Sequence, residues 1–336
     1  MTTLYIDRRG YELELDSGAL AVRKDGELLK RLPVGLIERV VVASDILMST
    51  RLMAALCDQG VGLLLYNART GARAAFVGAP GGDARRRLGQ AKMALQENLR
   101  SLWARRWVQA KALGQARLLR LEAERRPAVR AAILPQVTRI DNAATRLRRE
   151  ELSVETTRGL EGAASAAYFE GLQHLFAPAL GFHGRNRRPP QDPVNATLSL
   201  AYTLLYGAAV EAIAAAGLDP GLGYLHDPAH GRAALACDLM EPLRPAADQL
   251  VATLFRERTL RHDHFQQKDG ACLLGKAGRR TFYEQVEQPM ERFRNKLRAL
   301  ARVVARAADA AARDLPIASA EPWGGEGDPE NEAAVC

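Results

Sequence analysis

The hydrophobic period of this chain changes once, near residue 80, and no single layer architecture accommodates both halves. Before that point the apolar residues alternate in short runs: TLYIDRR (3–9), YELELDS (11–17), ALAVRKD (19–25), RVVVAS (39–44), VGLLLYN (61–67) and RAAFVG (73–78). Alternation with period 2 is the mark of half-buried strands. The DSG and KDG triplets between the first runs supply glycines free to take positive φ, the chemistry of hairpin turns. STRLMAALCDQG (49–60) interrupts the strands as one short helix, capped by Ser49 or Thr50 and stopped near Gly60. GAPGGDARRR (78–87) then reads as a linker. Beyond it the period becomes 3.6, with Leu88, Leu95, Leu99 and Leu102 expected on one stripe of a long helix. Helices are expected to about residue 313, broken at Pro127, Pro135, RRPPQDP, GLDPGLG and DPAHG.

The fold class is therefore α+β and multidomain: a small β-rich domain over 1–80, a linker over 81–92, and an all-α domain over 93–315. Residues 316–336, PIASAEPWGGEGDPENEAAVC, are expected to form a disordered acidic tail. The tail holds five acids and no base, so residues 1–315 set 47 basic against 34 acidic side chains, a net +13. Such a surface fits a polyanionic partner, nucleic acid above all, or else a merely solvated arginine-rich face. Cys57, Cys237, Cys272 and Cys336 are widely spaced with no CxxC pair, which argues against a disulfide framework or a zinc ribbon and for a reducing cytoplasm. The start, MTTLYIDRRGYELELD, does not have the pattern of a signal peptide. The most apolar window, LSLAYTLLYGAAVEAIAAAGL (198–218), contains Glu211 and is expected as a buried central helix, not a membrane span.

Candidate chemistry concentrates in two places. In YLHDPAHGRAALACDLMEPLRP (224–245), Pro228 and Gly231 forbid a helix through His226 and His230, so these do not form a helical zinc pair. A helix is expected after Gly231, with Asp238 and Glu241 three apart on one face among apolar neighbours. Two like charges there repel unless a divalent cation or a basic cluster meets them. In TTRGLEGAASAAYFEGLQHLF (156–176), Glu161 stands between Gly159 and Gly162. Each helical glycine costs about 1 kcal/mol relative to alanine. Either a backbone or a ligand approaches closely there, or Glu161 pairs with an arginine and the glycines serve helix packing. Glu161, His226, Asp238 and Glu241 together offer hard oxygens and one imidazole, a set suited to Mg²⁺ or Mn²⁺. His262 and His264 lack a comparable carboxylate pair and are expected to face solvent or DNA. Trp103 and Trp107, one turn apart, are expected in the core or a dimer contact.

GLEGAASAAYF, PPQDPVNATLSLAYTLL, GLDPGLGYLH and GRAALACDLMEPLRPAAD, in that order, resemble the CRISPR-associated protein 1 family, the endonuclease/integrase of spacer acquisition. LYIDRRGYELEL and VVVASDILMSTRLMAALCDQGVGLLL extend the likeness to the N-terminus, so that it spans roughly residues 3 to 312. The resemblance implies a β-rich N-terminal domain, used for dimerisation and DNA-end contacts, and a helical catalytic domain. It implies Glu161, His226 and Glu241 as metal ligands, with Asp238 beside the metal as a helper. Many members have aspartate where Glu241 stands, so the longer side chain would set the metal slightly farther from its helix. It also implies a homodimer, and a CRISPR-associated protein 2 dimer bridging two such dimers. The activity implied is metal-dependent insertion of short prespacer duplexes into a CRISPR repeat by transesterification, in antiviral defence.

That chemistry gives the cations a role. Arg85, Arg86, Arg87 and Lys92 on the linker helix, Arg185, Arg187 and Arg188 on the proline-rich loop, and Arg232 and Arg244 beside the acids are expected to hold phosphates without reading sequence. Two rival readings use the same residues. One is a hydrolytic nuclease on branched or repair-intermediate DNA; the other is a non-catalytic DNA-binding scaffold whose acids are paired to arginines.

Overall fold

The computed structural model describes residues 2–66, 73–76, 84–186, 189–229 and 232–315. Eight strands lead: β1 (Thr2–Ile6), β2 (Tyr11–Asp16), β3 (Ala19–Lys24), β4 (Glu27–Pro33), β5 (Ile37–Val42), β6 (Leu47–Met48), β7 (Gly62–Tyr66) and β8 (Arg73–Phe76). They form two four-stranded sheets, in the orders β1-β5-β7-β8 and β4-β3-β2-β6. In the first, β1, β5 and β7 run parallel and β8 returns antiparallel. The second is a β2-β3-β4 meander with β6 added in parallel. The DSG and KDG turns behave as their chemistry dictates: Ser17, Gly18, Asp25 and Gly26 all have positive φ. Helix α1 (Thr50–Asp58) starts at Ser49, whose hydroxyl accepts from the Leu52 N–H. Leu13, Leu20, Val40, Val42, Leu52, Leu56 and Leu63 close a core between the sheets and α1.

Strand β4 was not among the expected strands. It is an edge strand with almost every residue exposed, so ELLKRLP carries no alternation to read.

Helices follow: α2 (Ala84–Leu95), α3 (Glu97–Arg125), α4 (Pro127–Arg149), α5 (Val154–Leu172), α6 (Pro193–Ala215), α7 (Ala234–Met240), α8 (Arg244–Arg256) and α9 (Lys276–Ala312). Residues 84–92 of the expected linker are the first turns of α2. The long leucine-striped helix is two helices, because Gln96 takes an extended backbone between them. Leu88 and Leu95 are exposed in consequence. The buried face of α2 is instead Gly89, Gln90 and Met93. At Gly89 any Cβ would press on the Ala308 carbonyl, so glycine there lets α2 lie against α9. Pro127 opens α4 as expected, but Pro135 lies inside that helix without ending it. Pro135 sits on the solvent face of α4, where water can serve the carbonyl it leaves without a partner.

The all-α expectation needs one amendment. Strands β9 (Phe265–Lys268) and β10 (Ala271–Leu274) form an antiparallel hairpin between α8 and α9. Its turn residues, Asp269 and Gly270, have φ of 51° and 74°, repeating the KDG turn of Asp25 and Gly26. The signal was therefore present in QQKDGACLL.

Helix α6 is the centre of the helical core. It is long and apolar enough to cross a membrane, but 72% of its apolar window is buried inside the fold. Trp103 and Trp107 are core residues, and Trp103 stacks on Tyr224. Arg187, Arg188, His230 and the expected acidic tail lie outside the described residues.

Candidate metal centre

The floor of the site is a lysine that sequence analysis passed over. Lys111 lies on the inward face of α3 with Trp107, Val108, Ala112 and Gln115. Its ammonium pairs with Glu161 from α5 and lies 2.7 Å from Glu241 Oε2. Burial opposes its charge, but Glu241 and then Glu161 more than offset that, and the pKa of Lys111 rises. A buried lysine is tolerated only when paired, and here it has two carboxylates.

Each carboxylate is further anchored. Ser165, one turn along α5, donates to Glu161 Oε1 at 2.9 Å. Arg244 donates to Glu241 Oε1 at 2.8 Å and lies 4.6 Å over the Tyr202 ring. Burial alone would push Glu241 up; the Arg244 guanidinium and the Lys111 ammonium outweigh it and hold the carboxyl at about 2, with smaller help from His226. Tyr202 and Tyr168 both donate to buried Asp248, whose carboxyl burial pushes up to about 6 against those hydrogen bonds.

Asp238 and Glu241 were expected to share a helical face and one charge problem. They do not share it. Helix α7 ends at Met240, and Glu241 begins a 3-10 turn through Pro242. Asp238 instead organises the loop before α7. It accepts from the backbone N–H groups of Tyr224 (2.6 Å), Leu225 (2.9 Å) and His226 (3.0 Å). It also lies 2.6 Å from His226 Nδ1. A carboxylate can only accept, so Nδ1 carries the proton, and in the neutral ring Nε2 is the nitrogen left with the lone pair a ligand needs.

The His226 loop is clamped from outside as well. Arg100 donates to the Tyr224 carbonyl at 3.0 Å, Arg158 to the Leu225 carbonyl at 2.8 Å, and both pair with Asp227. These arginines hold Asp227 at about 2, through hydrogen bonds first. A Cβ on Gly223 would fall 2.8 Å from Ala234 and 2.9 Å from the His226 carbonyl, so GLGYLH needs its second glycine to fold back on α7. Buried Gln90 holds the preceding turn, donating to the Asp219 and Leu222 carbonyls and accepting from the Asp219 N–H.

The structure thus brings Glu161 and Glu241 together on one positive charge, with His226 within electrostatic reach of Glu241. Among the described residues no three His, Cys, Asp or Glu side chains form a ready-made cage. Lys111 occupies the point on which the carboxylates converge. The chemistry of that point still fits a cation. Glu241 Oε2 is buried, and among the described residues the Lys111 ammonium is the group that lies against it. Two carboxylates and a free imidazole nitrogen are the donor set of a hard divalent ion. The bland alternative for Glu161 fails in its detail: its partner is a lysine, not an arginine, and Gly159 and Gly162 pack against nothing, their Cβ positions facing open space. Among the described residues no other backbone approaches them either.

Several cations expected to meet phosphates are engaged within the chain. Arg86 forks onto Asp309 at 2.8 and 2.9 Å and donates to the Ala216 carbonyl. Lys92 donates to the Ala311 carbonyl at 3.0 Å. These two fasten α2 to the end of α9. Arg185 holds its own loop, donating to Asn195 Oδ1 at 2.7 Å and Ser199 Oγ at 2.9 Å beside the Tyr202 ring. Arg244 is engaged by Glu241. Arg85 and Arg232 are exposed, and Arg87 is half-buried. His262 is exposed and His264 half-buried, in a short 3-10 turn that leads into β9.

Residues 4–288 match the family model described as CRISPR associated protein Cas1. The CRISPR-associated endonuclease Cas1 1 of Thermodesulfovibrio yellowstonii is 31% identical over 290 residues, covering 86% of this chain and 91% of that protein. Its namesake in Thermus thermophilus is 32% identical over 290 residues, 85% and 86% of the two chains. Among solved structures, a Cas1 protein from Thermotoga maritima superposes with a TM-score of 0.78 at 22% identity, covering 96% of this chain and all of that one. A casposase bound to integration product gives 0.79 at 19% identity over 91% of each chain. With the family model matched over most of its length, and relatives above 30% identity covered nearly end to end, this chain belongs to the CRISPR-associated Cas1 family.

Proposed function

We propose that this chain is a metal-dependent DNA endonuclease/integrase that inserts short prespacer duplexes into a CRISPR array by attack of a DNA 3′-hydroxyl on a repeat phosphodiester. The observation that carries this reading is the meeting of Glu161 and Glu241, 80 residues apart in sequence, on one cation, with the ring of His226 oriented through Nδ1 by Asp238. Glu161, Glu241 and His226 Nε2 would hold Mg²⁺ or Mn²⁺. When bound, the ion supplies charge stabilisation at the phosphoryl oxygens and lowers the pKa of an attacking hydroxyl. The protein's own part is positional. Asp238, Arg100 and Arg158 fix the His226 loop, Arg244 fixes Glu241, and Ser165 fixes Glu161. The turn of α5 that carries Glu161 presents the bare backbone of Gly159 and Gly162 to the outside, room for a sugar–phosphate chain.

The names of the relatives support the nuclease part of this reading, and two structural neighbours extend it: one is described as a Cas6-RT-Cas1–Cas2 complex, another as a Cas1–DNA complex. They support DNA and a small CRISPR-associated protein 2 partner for this chain. The β region supports a homodimer contact, since Leu28, Leu29, Leu36 and Leu47 are all exposed on it.

The test is a joining assay with a labelled short duplex, a supercoiled target and Mg²⁺ or Mn²⁺, with and without the small partner. A branched, joined strand is expected; cut strands alone favour hydrolysis. Glu161→Ala and His226→Ala are each expected to reduce joining to background, with DNA affinity and circular dichroism kept. Wild-type joining by either variant removes the site assignment. The Lys111 bridge itself favours the scaffold reading, in which these acids are only structural. Manganese binding that depends on Glu241 separates the two, because a scaffold has none.

A further inference from the structure

Resting on the metal-site reading above, we propose that Lys111 is a resident counter-ion that the metal must displace, so that metal binding is weak until DNA phosphate arrives to receive the displaced ammonium. Three features of the structure lead to it.

The first is charge balance. Glu161 and Glu241 are already matched by Lys111 and Arg244, and Asp238 behind the His226 ring adds one further negative charge. Adding a divalent ion with both cations in place leaves an uncompensated positive charge in a site whose floor is buried. Burial makes that excess far more costly than it would be in water. A phosphodiester brings compensating negative charge, and it is also the group the reaction requires.

The second is that the ammonium and the ion need the same atoms. Lys111 Nζ sits on Glu161 Oε1 and beside Glu241 Oε2, the oxygens that face one another across the site. Glu161 Oε1 stays held by Ser165 and Glu241 Oε1 by Arg244. Removal of the lysine therefore leaves both carboxylates aimed as they are now. Glu241 Oε2 has no other directed donor, so the ammonium is its main restraint.

The third is that the occupant is a lysine. An ammonium on a four-carbon stem is a point charge that can swing away; a guanidinium fork bound bidentately cannot do so as readily. Arg244, the other cation here, is fixed by stacking on Tyr202. Among the described residues Lys111 lies over no aromatic ring. It is nearly buried with Glu241, whereas the side chains of Glu161 and His226 are 29% and 23% exposed and form the open edge. A displaced ammonium would move toward that edge, where the substrate backbone must lie.

Coupling of this kind is reciprocal: phosphate strengthens metal binding and metal strengthens phosphate binding by the same factor. The test titrates full-length wild type, Lys111→Met and Lys111→Gln with Mn²⁺, by electron paramagnetic resonance of the free ion. Each is measured without DNA and with a short duplex blocked at its 3′ ends. Without DNA, both variants are expected to bind Mn²⁺ at least tenfold more tightly than wild type. With DNA, wild type is expected to gain affinity by a similar factor and the variants to gain much less.

Variants that bind no tighter than wild type, while wild-type binding depends on Glu241, overturn the role of Lys111 and leave the metal site standing. Absence of Mn²⁺ binding in wild type and variants alike overturns both. A variant that unfolds in EDTA supports the proposal if Mn²⁺ restores its thermal transition, and overturns it if Mn²⁺ does not. Lys111→Gln keeps a hydrogen-bond donor toward Glu161 and guards against a simple packing defect.

Discussion

The buried charges that join the β region to the helical region and those of the candidate metal centre are built differently. The first set forms a seam. Arg39 of β5, 2% exposed, pairs with Glu211 of α6. Glu287 of α9 accepts from Thr3 and Tyr5 of β1, both at 2.8 Å. Arg294 lies 3.3 Å from Glu38, and Arg279 bonds Asp7 at 2.9 Å. At the seam, acids meet planar guanidinium groups, which lose little freedom on pairing, and Glu287 meets two hydroxyls as well. At the centre, two acids share one ammonium carried on a flexible stem. The seam is arranged to hold two layers in register. The centre is arranged so that its cation can be exchanged.

Breaking the seam should cost the most stability. Arg39→Ala leaves half-buried Glu211 without its partner, and a loss of about 3 kcal/mol is expected in urea denaturation. The double change Arg39→Met with Glu211→Leu should recover much of it, because no charge is then stranded. If the single change proves nearly neutral, the seam is not the fixed element described here.

The centre should respond in ligand affinity first. Asp238→Asn gives up the ionised acceptor shared by three backbone N–H groups and the His226 ring. A loss of about 10–100-fold in Mn²⁺ affinity is expected, the usual effect of removing the partner that orients a ligating histidine. An unchanged titration curve would place His226 outside the site.

Asp248 tests the ground between the two clusters. The folded chain keeps its proton up to about pH 6, whereas an unfolded aspartate releases it near pH 3.9, a roughly typical value. Between those values the native state binds more protons than the unfolded one. Its contribution is therefore full below about pH 4 and is lost as pH rises through 6. Denaturation of wild type and Asp248→Asn at several pH values should show wild type losing stability relative to the variant over that window. A parallel pH dependence would mean that the aspartate is ionised throughout.

The smallest effect is expected at the bare turn of α5. Gly162→Ala meets no atom within 4 Å and should stabilise the helix by about 0.5–1 kcal/mol. If DNA lies against that turn, the same change should weaken joining while the melting temperature rises. Stabilisation with full joining would put the DNA elsewhere.

Much of this was readable from residue order. The period change near residue 80, the DSG and KDG turns and the Ser49 cap are local matters of sterics and hydrogen bonding, and they appear where the residues put them. The second KDG turn, at residues 268–270, has the same signature and was overlooked because a helical pattern surrounds it. The edge strand β4 was not readable, because a strand with both faces in solvent has no pattern to display. The identities of Glu161, His226, Asp238 and Glu241 stood out as charges among apolar neighbours, though not what each one does. Lys111 carried a comparable mark, a lysine among Trp107, Val108 and Ala112, but its significance depends on what faces it.

By itself, then, the sequence determined the layers, the turns, the family and the short set of acids and imidazole. Tertiary structure alone decided which charge answers which. Pairing of Lys111 with Glu161 and Glu241, of Arg86 with Asp309, and of Arg100 and Arg158 with Asp227 depends on how α2, α3, α5 and α9 pack. The physical reason is range: turn and helix preferences act over a few residues, whereas a buried charge is settled by the nearest opposite charge in space, often 50 or more residues away along the chain.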